Sequence, residues 1–153
     1  MLFARSFDIR FTFAGEGPDE GWLRTHFSNH PRVVFSKYLP RDATDVHLDH
    51  DVAVAPSIAS EGTSFSVGEA MGAGCAVVAT AVGGITNMVI DRYNGILVLP
   101  NAPSLLAGME QAITNAEIRR EIGLRAYETA RSSLNVSLWK KRWAAVIEEV
   151  CKG

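Results

Sequence analysis

Apolar positions come in short bursts over the first half of the chain. In "DIRFTFAG", residues 8–15, Ile9, Phe11 and Phe13 alternate with Arg10, Thr12 and Ala14 and the run stops at glycine. A period of two ending in a turn residue predicts a strand. "PDEGWLRTHFSNH" opens with Pro18 and two acids and sets Trp22, Leu23 and Phe27 within helical reach of one another, which predicts a helix. Residues 32–35, 52–55 and 76–79 are runs of β-branched or small residues bounded by Pro, Gly or Asp, the pattern of buried parallel strands. Between and after them, 67–74 and "APSLLAGMEQAIT" (102–114) carry helical patterns, the second breaking at Asn115. Strands alternating with helices predict an α/β architecture.

From Glu117 onward no strand pattern remains. Ile118, Ile122 and Ala126, and then Leu138, Trp139, Trp143, Val146, Ile147 and Val150, recur at helical spacing. Two closing helices that cover the sheet are expected, with Trp139 and Trp143 in a core stripe. The competing reading sets those tryptophans, beside Lys140, Lys141 and Arg142, at a membrane interface. No repeat or linker is visible.

Composition narrows the function classes. With 153 residues, 47% of them hydrophobic, the chain can bury one core of ordinary size. A net charge of -2 gives no broad basic surface, which argues against a nucleic-acid partner. Two cysteines, Cys75 in an apolar run and Cys151 near the end, do not make a disulfide framework and suit a reducing compartment. "MLFARSFDIRF" is too short and too interrupted by charge for a secretory segment or a membrane span, so a cytoplasmic place is expected.

Several motifs fall short of familiar chemistry. "AGEGPDEG" starts like a dinucleotide fingerprint, but Glu20 stands where the third glycine belongs. What survives is a strand, a glycine turn at Gly15 and Gly17 and a helix start, which serves equally a ligand near the backbone or a bare turn. "EGTSFSVG" lacks the glycine that a nucleophile elbow places two residues after its serine, and no Walker A motif occurs. His47, Asp49, His50 and Asp51 lie together in sequence without catalytic-metal spacing, and no metal is expected.

The stretch "SEGTSFSVGEAMGAGCAVVATAVGGI", 60–85, is more informative, since it places Glu61 and Glu69 eight positions apart. If a helix begins near Ser64, a rise of ~1.5 Å per residue separates the two carboxylates by on the order of 10 Å. That exceeds the spacing for attack on a single glycosidic bond, about 5 Å to 9.5 Å, and suits a grip on two ends of one ligand. Between them the N–H groups of Thr63, Ser64 and Phe65 open a helix and favour an anion such as a diphosphate. Hydroxyl acceptor, anion cradle and hydroxyl acceptor in line match a sugar, a diphosphate and a ribose. The plainer reading is a helix capped by Ser64 with two solvated acids.

The segment from "PSIASEGTSFSVGEAMGAGCAVVATAVGGITNMVIDRYNGILVLPN" resembles the C-terminal, donor-binding half of retaining glycosyltransferases of the GT-B fold, group 1 type. The likeness begins near "DIRFTFAGEGPDEGWLR", includes "RVVFSKYLP" and "DVAVAPS", and runs to the aromatic closing helix. Its specific part is Glu61-x7-Glu69 followed by Ala70-Met71-Gly72. The resemblance implies a Rossmann-like parallel sheet with flanking helices and a nucleotide-diphosphate-sugar as donor substrate, with no cofactor. It assigns Glu61 to donor-sugar hydroxyls beside the reacting carbon and Glu69 to the ribose. Backbone at Gly62, Thr63, Ser64 and Phe65 faces sugar and diphosphate, Gly15 and Gly17 border the nucleotide, and Ser36, Lys37, Tyr38 and Leu39 lie near the base. Thr63 stands where the family has an aromatic and Asn87 where it has an acid, so donor preference can differ.

The family's domain opens with a strand and a loop bearing an Arg and a Lys that neutralise the diphosphate, and nothing before Asp8, Arg5 included, matches them. The first strand is therefore expected to be missing from an N-terminally incomplete domain spanning 1–153. An acceptor domain or a partner chain is expected to complete it, the isolated chain is expected to be inactive, and peripheral membrane association is admitted. The alternative is a non-catalytic nucleotide-sugar-binding or assembly module.

Overall fold

A computed structural model describes residues 7–59 and 61–152. Arg5 and Ser60, both singled out in the sequence, lie outside the described residues. The chain forms β1 (Phe11–Ala14), α1 (Glu20–Phe27), β2 (Val33–Ser36), α2 (Ala43–Leu48), β3 (Val52–Ala55), α3 (Phe65–Gly72), β4 (Ala76–Thr80), β5 (Ile96–Val98), α4 (Ala102–Thr114), α5 (Ala116–Ser133) and α6 (Val136–Cys151). The fold is Rossmann-like, with parallel strands and flanking helices. Expected strands and helices recur within a few residues of their observed bounds, while β5 was not among the predicted strands.

The parallel strands form two sheets. β1 pairs with β2, Phe11 opposite Val33, and β4 lies between β3 and β5, Val78 facing Val54 on one side and Ile96 on the other. Every residue of β4 is buried, and its alternating side chains supply two core layers. Val77 and Ala79 pack with Val67, Ala70 and Met71 of α3 and with Ala126 and Ala130 of α5. Ala76 and Val78 pack with Met109 and Ala112 of α4 and Ile122 of α5, a layer that Phe11, Val52 and Val54 also join. The smaller sheet has its own aromatic packing, Phe13 lying 5.3 Å from Phe35 and 5.9 Å from Phe27 of α1 between ring centroids.

Helix ends follow local chemistry. The side chain of Asn101 accepts from Ser104 N–H, that of Asn115 from Ile118 N–H, and that of Asn135 from Ser137 and Leu138 N–H, so α4, α5 and α6 each begin with an asparagine cap.

One expectation is overturned. α6 does not cover the sheet: none of its residues is buried, and Trp139 and Trp143 are 58% and 51% exposed. The two rings touch each other, 6.0 Å between centroids, rather than the core. α6 follows an asparagine cap only two residues after α5 ends, and among the described residues no sheet surface lies under its apolar stripe. Among the described residues no helix is long and apolar enough to cross a membrane.

Candidate functional site

The chain leaves the end of β3, runs through a loop carrying Glu61, and enters α3. Ser64 is the N-cap in position, with extended φ −77° and ψ 106° and only 3% exposure, yet its side chain makes no capping hydrogen bond. Its Oγ lies instead 3.3 Å from Ser66 Oγ. The first turn closes through Gly68 N–H to Ser64 C=O. Among the described residues no backbone carbonyl takes the N–H of Thr63, Ser64 or Phe65, so these donors at the positive end of α3 have no backbone acceptor. The Phe65 ring is itself 80% exposed.

Glu61 is half-buried and far from a freely solvated acid. The Ser57 hydroxyl donates to its Oε2. Hydrogen bonds from Ser57 first and Ser64 second hold its carboxyl below the usual range, against the opposing effect of burial. The group is thus an ionised acceptor with a fixed orientation. Glu69 lies in the second turn of α3, also half-buried, and among the described residues its carboxylate has neither hydrogen bond nor ion pair. Gly62 borders open space: a Cβ added there meets nothing within 4 Å.

The other predicted residues gather at the ends of β1 and β2. Gly15 adopts φ +118°, a conformation that suits glycine, and its N–H donates to Ser36 C=O at 3.0 Å. Cβ atoms at Gly15 and Gly17 meet nothing within 4 Å. Lys37 reaches back to Glu16 (3.7 Å) and Glu20 (3.5 Å), while Tyr38 and Leu39 are exposed. The structure therefore brings Gly15 and Gly17 together with Ser36, Lys37, Tyr38 and Leu39, and Glu61 together with Gly62, Thr63, Ser64 and Phe65. Among the described residues no hydrogen bond or ion pair joins the two groups.

The histidine-rich junction has other partners. His50 Nε2 meets Thr12 Oγ1 at 2.8 Å, linking β1 to the start of β3, and Asp51 faces Arg119 at 3.9 Å. Burial, then the neighbouring His50, disfavours protonation of His47. Among the described residues no three metal-binding side chains converge.

Sequence reasoning missed Ser57 and Thr80. A hydroxyl four residues before a glutamate carries no pattern, and Thr80 meets the loop only through the parallel pairing of β3 and β4. The Gly83-Gly84 pair was visible in the sequence and had no assigned role.

Comparison with known proteins adds a family. The family described as "Glycosyl transferases group 1" matches residues 2–115. The Methanocaldococcus jannaschii protein called "Uncharacterized glycosyltransferase MJ1069" is 35% identical over 92 residues, which are 60% of this chain and 23% of that protein. The chain spans about a fifth to a quarter of the length of the curated relatives it matches. Among solved structures, Anabaena Alr3699/HepE in complex with UDP-glucose superposes with a TM-score of 0.80 at 22% identity, over 97% of this chain and 43% of that one. The C-terminal domain of a Francisella tularensis glycosyl transferase group 1 family protein (LpcC) superposes with a TM-score of 0.56 at 20% identity, over 84% of this chain and 89% of that one.

Proposed function

The chain belongs to the group 1 glycosyl transferases, a transferase family, and we propose that it is the donor-holding part of a retaining enzyme. In this reading a sugar passes from a nucleotide-diphosphate-sugar to an acceptor hydroxyl. The observation that carries it is the run from Glu61 to Glu69: an oriented, ionised carboxylate, three N–H groups without a backbone acceptor at a helix N-terminus, and a second carboxylate without a partner among the described residues.

Glu61 accepts from donor-sugar hydroxyls beside the reacting carbon, and Glu69 from the ribose. The N–H groups of Thr63, Ser64 and Phe65 receive the diphosphate. Gly62 leaves room for it, Gly15 and Gly17 border the nucleotide, and Ser36, Lys37, Tyr38 and Leu39 flank the base. The bond from the sugar carbon to the diphosphate oxygen breaks while the acceptor oxygen bonds to that carbon on the same face. The departing diphosphate oxygen takes the acceptor's proton, and the α3 amides stabilise its charge with no metal required.

The family resemblance further suggests that the two sheets are halves of one. β1 and β3 lie at the facing edges, since Thr12 bonds His50 and Phe11 shares a core layer with Val52 and Val54, yet they do not pair with each other. In this reading a parallel strand from an acceptor domain or a partner chain lies between them and brings basic side chains to the diphosphate. A cytoplasmic protein attached peripherally to a membrane belongs to the same proposal, supported by the exposed Trp139 and Trp143 beside Lys140, Lys141 and Arg142.

Titration of isotope-labelled protein with UDP and with UDP-glucose tests the assignment. Glu69→Ala should weaken both ligands by about 2 kcal/mol, the worth of hydrogen bonds to a charged acceptor. Glu61→Ala should weaken UDP-glucose and spare UDP. Equal losses for UDP in the two variants sink the reading, and no binding of either ligand by the wild-type chain favours a non-catalytic assembly module.

A further inference from the structure

The Glu61 loop is held from three directions by residues with no role so far. Thr80, the last residue of β4, is 1% exposed, and its hydroxyl needs a partner there. It donates to Ser57 C=O at 2.5 Å, with Ala55 C=O at 3.3 Å, tying the chain that leaves β3 to the end of β4. Ser57, placed this way, donates through its own hydroxyl to the Glu61 carboxylate. On the other side Gly84 N–H donates to Glu61 C=O at 2.8 Å.

The two glycines press on that peptide. Gly83 has φ +48°, and a Cβ there lies 2.0 Å from Glu61 C=O; a Cβ on Gly84 lies 2.3 Å from Gly62 C=O and 3.2 Å from Thr63 N. No side chain fits at either position without moving the loop. The contacts reach both the Glu61 backbone and the Gly62–Thr63 peptide that begins the series of N–H groups without a backbone acceptor, so one displacement disturbs carboxylate and amides together.

We propose that Ser57, Thr80, Gly83 and Gly84 are positioning residues that fix the Glu61 carboxylate and so set the preference for a sugar-bearing donor over the bare nucleotide. The inference rests on the donor-binding reading. In this reading none of the four is assigned a contact with the ligand. Ser57 and Thr80 act through Glu61, and the glycines act through the peptides on either side of Gly62.

Two measurements test it on the full chain. In the first, UDP-glucose and UDP are titrated against wild type, Ser57→Ala, Ser57→Thr and Gly84→Ala. Ser57→Ala should lower the ratio of UDP-glucose to UDP affinity about tenfold, as expected for one hydrogen bond to a charged group. Ser57→Thr, which keeps the hydroxyl, should restore most of it. Gly84→Ala should weaken both ligands, because the amides shift too.

The second follows the Glu61 side-chain carboxyl by carbon NMR as pH is varied, without ligand. Its titration should move up toward the ordinary glutamate range in Ser57→Ala and return in Ser57→Thr. An unmoved Glu61 titration in Ser57→Ala, with the fold intact, overturns the proposal even if Gly84→Ala fails to fold. Absence of binding by wild type overturns the donor reading and the selectivity role, while a shifted titration still upholds the hold on Glu61. An unchanged affinity ratio in Ser57→Ala overturns the selectivity role alone.

Discussion

α5 and α6 follow one another, are of similar length, and each carries an apolar stripe, yet their surroundings are opposite. α5 buries Ile122, Gly123, Ala126 and Ala130, whereas α6 buries nothing. Apart from Ile122 the buried face of α5 is made of small residues, and that lets its backbone come close to the turn before β4: a Cβ on Gly123 lies 2.4 Å from Gly74 C=O. α6 displays tryptophan, valine and isoleucine of far larger apolar area. Burial here follows from complementary shape and reach, and the hydrophobicity of a stripe alone does not supply it.

The sharpest test uses the two cysteines. Cys75 is fully buried, its Sγ within 3.3 Å of His47 C=O and 3.2 Å of His50 C=O, and burial, then Asp51, pushes its thiol up to about 11. At pH 8 only about one Cys75 in a thousand is thiolate, the reactive form. Cys151, at the end of α6, is exposed. Iodoacetamide at pH 8 should modify Cys151 at least a hundredfold faster than Cys75, as mass spectrometry of the digested protein reads. Comparable rates contradict the contrast between core and α6.

Gly123→Val should cost about 1 to 3 kcal/mol, because the added carbons overlap the Gly74 carbonyl and α5 must retreat from the turn before β4. Urea unfolding checks this, and an unchanged midpoint means that the helix has slack the geometry does not show. Trp143→Ala should change the stability of the isolated chain by no more than about 0.5 kcal/mol, as for a surface position. A loss of several kcal/mol means that α6 packs in solution where this structure leaves it bare.

The same contrast explains what the sequence could say. β3 is bounded by Asp51 and Pro56 and β4 follows Gly74, so their extents were legible from punctuation, as was the end of α4 at Asn115. β5 has three residues within "NGILVLPN", too few for a period to register. The α6 stripe was legible, and what should lie against it was not, because a stripe records an apolar face and carries no record of its neighbour. Glu61 and Glu69 stood out by spacing and resemblance. Ser57, Thr80 and the glycine contacts depend on β3 and β4 lying side by side, a long-range fact invisible in a local window. The interruption between β1 and β3 was anticipated only through the resemblance, whose first strand has no match here: each strand could be read from its own residues, its partner could not.

That interruption also bears on how the protein opens. β4 has a hydrogen-bonded neighbour on each side and side chains buried on both faces, so its amides are freed only when the whole domain comes apart. Among the described residues β1 and β2 hold one ladder between them, and neither strand nor α1 contains a buried residue. A lone pair of strands is marginal in water, and this one leans on Phe13, Phe27 and Phe35 and on the layer that Phe11 joins. Hydrogen exchange in the smaller sheet therefore proceeds through local openings that leave the three-stranded sheet intact. The loops at Gly15 and Ser36 belong to a part of the molecule that opens before the three-stranded sheet, to which the loop at Glu61 is tied.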